Sequence, residues 1–287
     1  MHESHCWIIL TTGNRSTEVL RAIASIRQQT IQPQQIILIG NGCTLEPIDG
    51  VDTVSLSENC GAAAGRNLGA SLATADFLCF LDDDAELISE TVSEEILHCF
   101  RTRPDTGVVA LHLIDKDSGR TQRRHVPRLG SRGASRSGAV TAFLEGACAI
   151  RRASFELAGG YPKEFFYGME ATDLAWRLVG LGDEIYYLAD AKVHHPQTKP
   201  SRHQYAFSYT ARNRVWLARR QLPCILQPIY LSLWAVLMIG RSPSMRARQQ
   251  TVAGLIDGFR TPAPAPFDRM SWQTVWRLTR LGRPPVI

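Results

Sequence analysis

The sequence predicts an α/β fold: a mostly parallel sheet flanked by helices, followed by a helical C-terminal extension. Three observations lead there. Short apolar runs of strand length alternate with helical periodicities through the first half of the 287 residues, the pattern of successive strand–helix units. Hydrophobic residues make up 44% and charged residues 21% of the chain, which supports a real core and argues against disorder. Charge is also divided along the chain. Residues 212–287 hold 12 Arg and no Lys against Asp257 and Asp268, a net of +10 that leaves −5 on the remainder. The natural division is therefore 1–211 and 212–287.

The elements follow in order. Cys6–Leu10 reads as the first strand, and Ser16 is placed to cap a helix with Val19, Ile23 and Ile26 on one face. Gln35–Ile39 is the second strand, ended by the turn Gly40-Asn41-Gly42. Val51–Leu56 is the third. Ala62–Ala73 suits a helix and Asp76–Leu81 a fourth strand. Val92, Ile96, Cys99 and Phe100 give another helical face before a strand over Gly107–Ile114. Residues 116–138 lose apolar periodicity and are rich in Gly, Ser and Arg. They predict a long loop, mobile until a ligand arrives. A strand over Ala139–Ile150 and a helix over Thr172–Leu181 restore order. The seven Cys are scattered without a CxxC pair, as expected for reduced thiols in a cytoplasmic protein. The N-terminus lacks the basic region and long apolar stretch of a signal peptide.

The stretch Phe77-Leu78-Cys79-Phe80-Leu81 runs directly into Asp82-Asp83-Asp84. Ligands of parallel sheets bind outside the carboxyl ends of the strands, where this triplet falls. Adjacent carboxylates repel and resist leaving water. A bound cation resolves the conflict, and so does a solvated turn. Other polar residues fall at the same edge: Thr11, Thr12 and Arg15 after the first strand, and Asn41 after the second. In NCGAAAGRNLGA, residues 59–70, small residues permit close backbone approach, and Arg66 brings a cation suited to phosphate. Helix packing explains Ala62–Ala64 but not Arg66. Glu170 and Asp173 lie three residues apart, close enough to share a helix face. His194 and His195 follow a strand-like run.

In this order, TTGNR, NCGAAAGRNLGA, FLDDDAEL, EATDLAWRL and AKVHHP resemble the family-2 glycosyltransferases of the GT-A fold, closest to the rhamnosyltransferase-like branch. The resemblance covers about residues 5–220. It implies that residues 1–211 form a nucleotide-sugar-binding and catalytic domain. The reaction implied is an inverting transfer of a hexosyl or deoxyhexosyl group from a UDP-, dTDP- or GDP-linked donor to an acceptor hydroxyl. Cell-surface glycans, lipid-linked acceptors and secondary metabolites all fit as acceptors. By resemblance, Mg2+ or Mn2+ is held by Asp84 with His194 or His195, and the first aspartate, Asp82, faces the ribose with Asp83 as spacer. Thr11, Thr12, Arg15, Asn41, Arg66 and Asn67 line the donor site.

Two departures stand out. Family members commonly carry Asp before the Asn-Gly turn, where this chain has Gly40, so the nucleotide base stays open. The family's catalytic stretch is Glu-Asp-x-Asp-Leu, and this chain reads Glu170-Ala171-Thr172-Asp173-Leu174. With Ala171 at the usual base position, Glu170 is the preferred base and Asp173 the second choice. Asp173 equally fits a structural pairing with Arg177. A catalytically weak or inactive scaffold and a sugar nucleotidyltransferase are the rival readings. TTGNR is a poor version of the latter's phosphate loop. The Arg-rich segments also raise a nucleic-acid-binding module, which the motif set disfavours.

The extension contains Cys224–Gly240, almost wholly apolar but short of the roughly 20 residues a membrane span needs. Val252, Leu255, Ile256 and Phe259 share a face in the next segment, and Trp272 and Trp276 mark another. Basic, Trp-bearing amphipathic segments suit a peripheral contact with the inner face of the cell membrane. Packing on the catalytic body, or on a second subunit in a homo-oligomer, is the alternative.

Overall fold

A computed structural model of the chain describes residues 3–13, 15–129, 133–197, 205–265 and 269–287. Four strands of its first half, β1 (His5–Thr11), β2 (Gln35–Asn41), β3 (Asp52–Leu56) and β4 (Phe77–Asp82), form a parallel group ordered β3-β2-β1-β4. Helices α1 (Ser16–Arg27) and α2 (Ala62–Leu72) provide crossovers. The sheet continues through β5 (Glu86–Leu87), β6 (Thr106–Ile114), β8 (Ala147–Arg151) and β9 (Glu184–His194), in the order β4-β8-β6-β9-β5. β8 runs antiparallel to both β4 and β6, whereas β6 and β9 are parallel. The short β7 (Gly138–Val140) pairs with β9.

Strand alternation divides the core into two layers. Cys6 and Ile8 face one, with Phe80, Leu174 and Tyr187. Trp7 and Ile9 face the other, with Phe77, Ile96 and Phe100. Helix α3 (Val92–Thr102) packs in the second layer through Val92, Ile96 and Phe100. The first is covered by α5 (Glu170–Leu181), while the short α4 (Arg152–Leu157) contributes Phe155.

Several expectations need correction. Ser16 is inside α1, and its N-cap is Arg15 without a side-chain cap bond. Residues 139–150 are not one strand, because β7 pairs with β9 while β8 lies between β4 and β6. One straight strand cannot serve both places. α5 begins at Glu170, two residues before the expected start, after left-handed Met169. Its first turn carries the carboxyls of Glu170 and Asp173. The Arg-rich segment is partly built onto the sheet, although 130–132 lie outside the described residues. Arg128 bonds the carbonyls of Gly133 and Arg136 and lies over the Tyr187 ring, while the Tyr187 hydroxyl donates to Ala134.

The C-terminal helices are α6 (Ala206–Gln221), α7 (Gln227–Gly240), α8 (Met245–Arg260) and α9 (Trp272–Arg280). The division at 211 falls inside α6, and Trp216, Leu217, Tyr230 and Leu278 join the core layer under α5. α8 docks on α6 through small residues. A side-chain carbon at Gly254 would collide with the Ser208 carbonyl, and one at Gly258 would meet Arg212 O at 2.8 Å. Its larger apolar residues, Val252, Ile256 and Phe259, are exposed. No helix among the described residues is long and apolar enough to cross a membrane.

Candidate active site

The strand register assembles one polar edge. Leu10 of β1 pairs with Asp82 of β4, and Thr11 with Gly40 of β2, so the chain leaves three parallel strands at neighbouring points. A cleft of about 320 Å³ opens there. Asp82, Asp84 and His195 come together with ligand atoms all within 4.8 Å of one another. His195 Nε2 is 3.5 Å from Asp82 Oδ2 and from Asp84 Oδ1. Its Nδ1 lies 2.8 Å from the Pro196 carbonyl, which can only accept. That fixes the proton on Nδ1 and leaves Nε2 to face the carboxylates. Two oxygens and an imidazole nitrogen form a donor set suited to Mg2+ or, better, Mn2+.

His194, opposite Glu86 in β9, lines a neighbouring cavity with Arg21, Glu86 and Lys116, which Asp84 and His195 also border, but His194 is not part of the converging ligand set. Sequence spacing left the two histidines equivalent; the structure brings only His195 to the aspartates.

The triplet divides its tasks. Burial raises the Asp83 carboxyl pKa, opposed by a hydrogen bond from Thr11 Oγ1 at 2.7 Å and by the Arg15 charge. Arg15 Nη1 spans Asp83 and Asp84, at 2.6 Å from each. Thr12, Arg15 and Asp83 line the cleft, while Thr11 is buried behind it holding Asp83. Burial would also raise Asp82, but the His195 hydrogen bond and the Arg66 charge outweigh it and hold the carboxyl well below its usual range. His195 is depressed by burial and raised further by Asp82 and Asp84, with a net upward shift.

Arg66 lies on the buried face of α2 and donates to Asp82 Oδ1 at 2.7 Å. Desolvation is overcome by Asp82 and Glu145, so its charge is secured. Asn67, one residue on, turns away. Its amide brackets the Tyr161 backbone in two hydrogen bonds, so it holds α2 to the loop beneath and does not line the cleft. Asn41 lines the cleft, yet its side chain mainly organises the turn before α2. It donates to Asn59 Oδ1 and Gly61 O and accepts from Cys60 N. Gly40 has no room for the family's aspartate: a Cβ there would lie 2.7 Å from both Cys43 O and Leu45 Cγ.

The two carboxylates of α5 part company. Glu170 lines the cleft at 2% exposure. Burial and the neighbouring Glu145 charge push its pKa up to about 8. Asp173 is fully buried away from the cleft, fixed by Arg177 at 2.7 Å and Arg220 at 3.1 Å. Its second-choice place as base is therefore not supported by its position. Several cleft residues were not evident from the sequence, Glu145 and His125 among them. Glu145 follows β7 in a segment expected to be strand, and His125 ends the turn Arg123–His125 with its ring 5.4 Å from that of His195. Only the acidic character of Glu145 beside Gly146 offered a signal. A Cβ at Gly146 would collide with the Asp82 carboxylate, so glycine there lets β8 pass the site.

Comparison with known proteins agrees with this architecture. Solved structures sharing the fold include S. aureus TarS 1-349 in complex with UDP-GlcNAc, with a TM-score of 0.64 and 12% identity over 91% of this chain and 82% of that one. The mannosyltransferase PcManGT from Pyrobaculum calidifontis, in complex with GDP-Man and Mn2+, gives a TM-score of 0.59 and 16% identity, covering 98% and 79%. Among curated relatives, the O-antigen chain rhamnosyltransferase WbaN of Salmonella anatum is 27% identical over 206 residues, 63% of this chain and 62% of WbaN. RfbN of Salmonella typhimurium, another O-antigen chain rhamnosyltransferase, is 24% identical over 216 residues, 69% of this chain and 68% of RfbN. Residues 7–157, more than half of the chain and including the aspartate triplet and Arg66, match the family described as Glycosyl transferase family 2. The chain belongs to glycosyl transferase family 2.

Proposed function

We propose that this protein transfers a sugar from a nucleotide diphosphate donor to an acceptor hydroxyl, with inversion at the anomeric carbon. The observation carrying this reading is the convergence of Asp82, Asp84 and His195 beside Arg66 at the carboxyl edge of the parallel strands. Asp84 and His195 would hold Mg2+ or Mn2+, with Asp82 completing the set, and the bound cation supplies Lewis-acid neutralisation of the leaving diphosphate. Arg66 adds fixed positive charge, and Arg15 keeps Asp83 and Asp84 in register. The attacking hydroxyl must give up its proton, and the carboxyls of the cleft outside the cation site belong to Asp83, Glu145 and Glu170. Asp83 is occupied by Thr11 and Arg15.

The donor reading is supported by relatives. PcManGT binds GDP-Man with Mn2+, TarS binds UDP-GlcNAc, and WbaN and RfbN are rhamnosyltransferases. These relatives support hexosyl or deoxyhexosyl transfer from a UDP-, dTDP- or GDP-sugar as the reading for this chain.

On the acceptor side, a cavity of about 270 Å³ adjoins the cleft, the two sharing Arg124 and Tyr167. Phe207, Trp234, Leu237 and Met238 make it apolar, and Arg241 adds charge. α7 also exposes Ile229, Leu233 and Val236 on its outer face. An amphiphilic, lipid-linked acceptor presented at an anionic bilayer suits this combination. A screen of UDP-, dTDP- and GDP-sugars by thermal shift, with and without Mn2+, tests the donor reading. One donor class should raise Tm only with the cation, and the sugar transferred from it should show inverted anomeric configuration by NMR. No shift with any donor, or retained configuration, would refute the reading.

A further inference from the structure

The family's usual base position is Ala171, which is buried, and Asp173 is locked between two arginines. The proton acceptor must therefore come from elsewhere. Glu145 and Glu170 line the same cleft with their carboxyls in contact, and the Arg66 guanidinium lies beside them, Nη1 being 4.0 Å from Glu145 Oε1. The two differ in access. The Glu145 side chain keeps 26% exposure, whereas Glu170 is closed off at 2%. Among the described residues, Arg66 Nη1 and Glu170 Oε2 are buried without a hydrogen bond. Such atoms are costly to leave unpaired, and here they mark a place where a polar ligand completes the site.

We infer that Glu145 is the group that takes the proton from the acceptor hydroxyl, and that Glu170 is its positioning partner. Two neighbouring carboxyls resist ionising together, and burial beside Glu145 favours the protonated form of Glu170. Glu145 is the more exposed of the two and is open to a hydroxyl entering the cleft. Other groups facing Glu145 are Arg66 on α2, Cys148 on β8 and Tyr161 in the loop after α4. Burial raises the last two well beyond neutrality, so they remain neutral there. In the step, the hydroxyl oxygen bonds to the anomeric carbon as the bond to the diphosphate oxygen breaks. The electron pair leaves with the diphosphate, and the hydroxyl proton passes to Glu145.

This assignment rests on the transferase reading, and its test separates the two. Donor hydrolysis uses water as the acceptor, the donor being the sugar nucleotide selected in the thermal-shift screen. Glu145→Gln should slow it by about 10²–10⁴-fold while cation-dependent nucleotide affinity stays as in the parent. Azide attacks without giving up a proton, so azide as nucleophile should restore glycosyl transfer in the variant. Glu145→Asp should keep partial hydrolysis. Hydrolysis unchanged in Glu145→Gln, or a loss that azide fails to restore, overturns the assignment. A readout independent of turnover comes from pH-difference infrared spectroscopy of the protein without donor. The protonated carboxyl band at neutral pH should vanish in Glu170→Gln. A band that survives there and disappears in Glu145→Gln puts the proton on Glu145 and overturns its role as base, whatever the fate of the donor reading.

Discussion

Glu170 ties the site to stability as well as to chemistry. Its pKa rises from an ordinary 4.5 to about 8 on folding, so between those values the folded state binds a proton that the unfolded state has released. Its favourable contribution is complete below pH 4.5 and is lost as pH rises through about 8. Glu170→Gln cannot ionise, so its Tm should decline less than that of the parent between pH 5 and 8.5. Parallel declines would show that Glu170 is not held neutral. The triplet and Arg66 were legible as single residues, because charge at the end of an apolar strand has few explanations. Glu145 was not: it occupies a break between β7 and β8 that apolar content concealed. Nor could sequence separate His194 from His195, since that choice depends on which of two adjacent residues at the end of β9 projects toward Asp82 and Asp84.

At the scale of elements, α5 and α6 are joined by a buried ion-pair group. Asp173 bonds Arg177 and Arg220, and Gln221 donates to the Asp173 carbonyl. Asp173→Asn leaves Arg220 buried without its counter-charge, a change that costs about 3–5 kcal/mol. Urea unfolding should show this loss, with donor affinity unchanged in the remaining folded protein. Undiminished stability together with lost turnover would return Asp173 to the chemistry. Helix α8 gives a second case. Gly254→Leu forces a side chain into the Ser208 backbone and should destabilise by about 1–3 kcal/mol, again read by urea unfolding. A neutral effect would mean that α8 does not seat on α6 through its glycines. Strand–helix alternation was readable because each period repeats within a few residues. The burial of α8 was not: its strongest apolar periodicity, Val252, Ile256 and Phe259, lies on the exposed side, and the small residues make the contact.

For the whole molecule, the outward apolar residues of α7, α8 and α9 accompany the arginine-rich end of the chain. Val236 is 71% exposed, and Trp276 61%. Each large apolar side chain moved out of water is worth about 1.5–3 kcal/mol, so Val236→Asp combined with Trp276→Ala should weaken flotation with anionic vesicles on the order of a hundredfold. Unchanged flotation would assign these faces to subunit packing. Point variants are preferable to removal of 224–287, because Tyr230 and Leu278 from that segment complete the main core.

The central claim, that a cation at Asp84 and His195 holds the donor diphosphate, is tested most directly by calorimetric titration of UDP, dTDP and GDP with and without Mn2+. The account predicts that one nucleotide binds at least about tenfold tighter with Mn2+, a difference of about 1.4 kcal/mol. That gain should disappear in Asp84→Asn and His195→Ala and persist in His194→Ala. Equal affinity with and without Mn2+, or a gain that survives in Asp84→Asn, would contradict it.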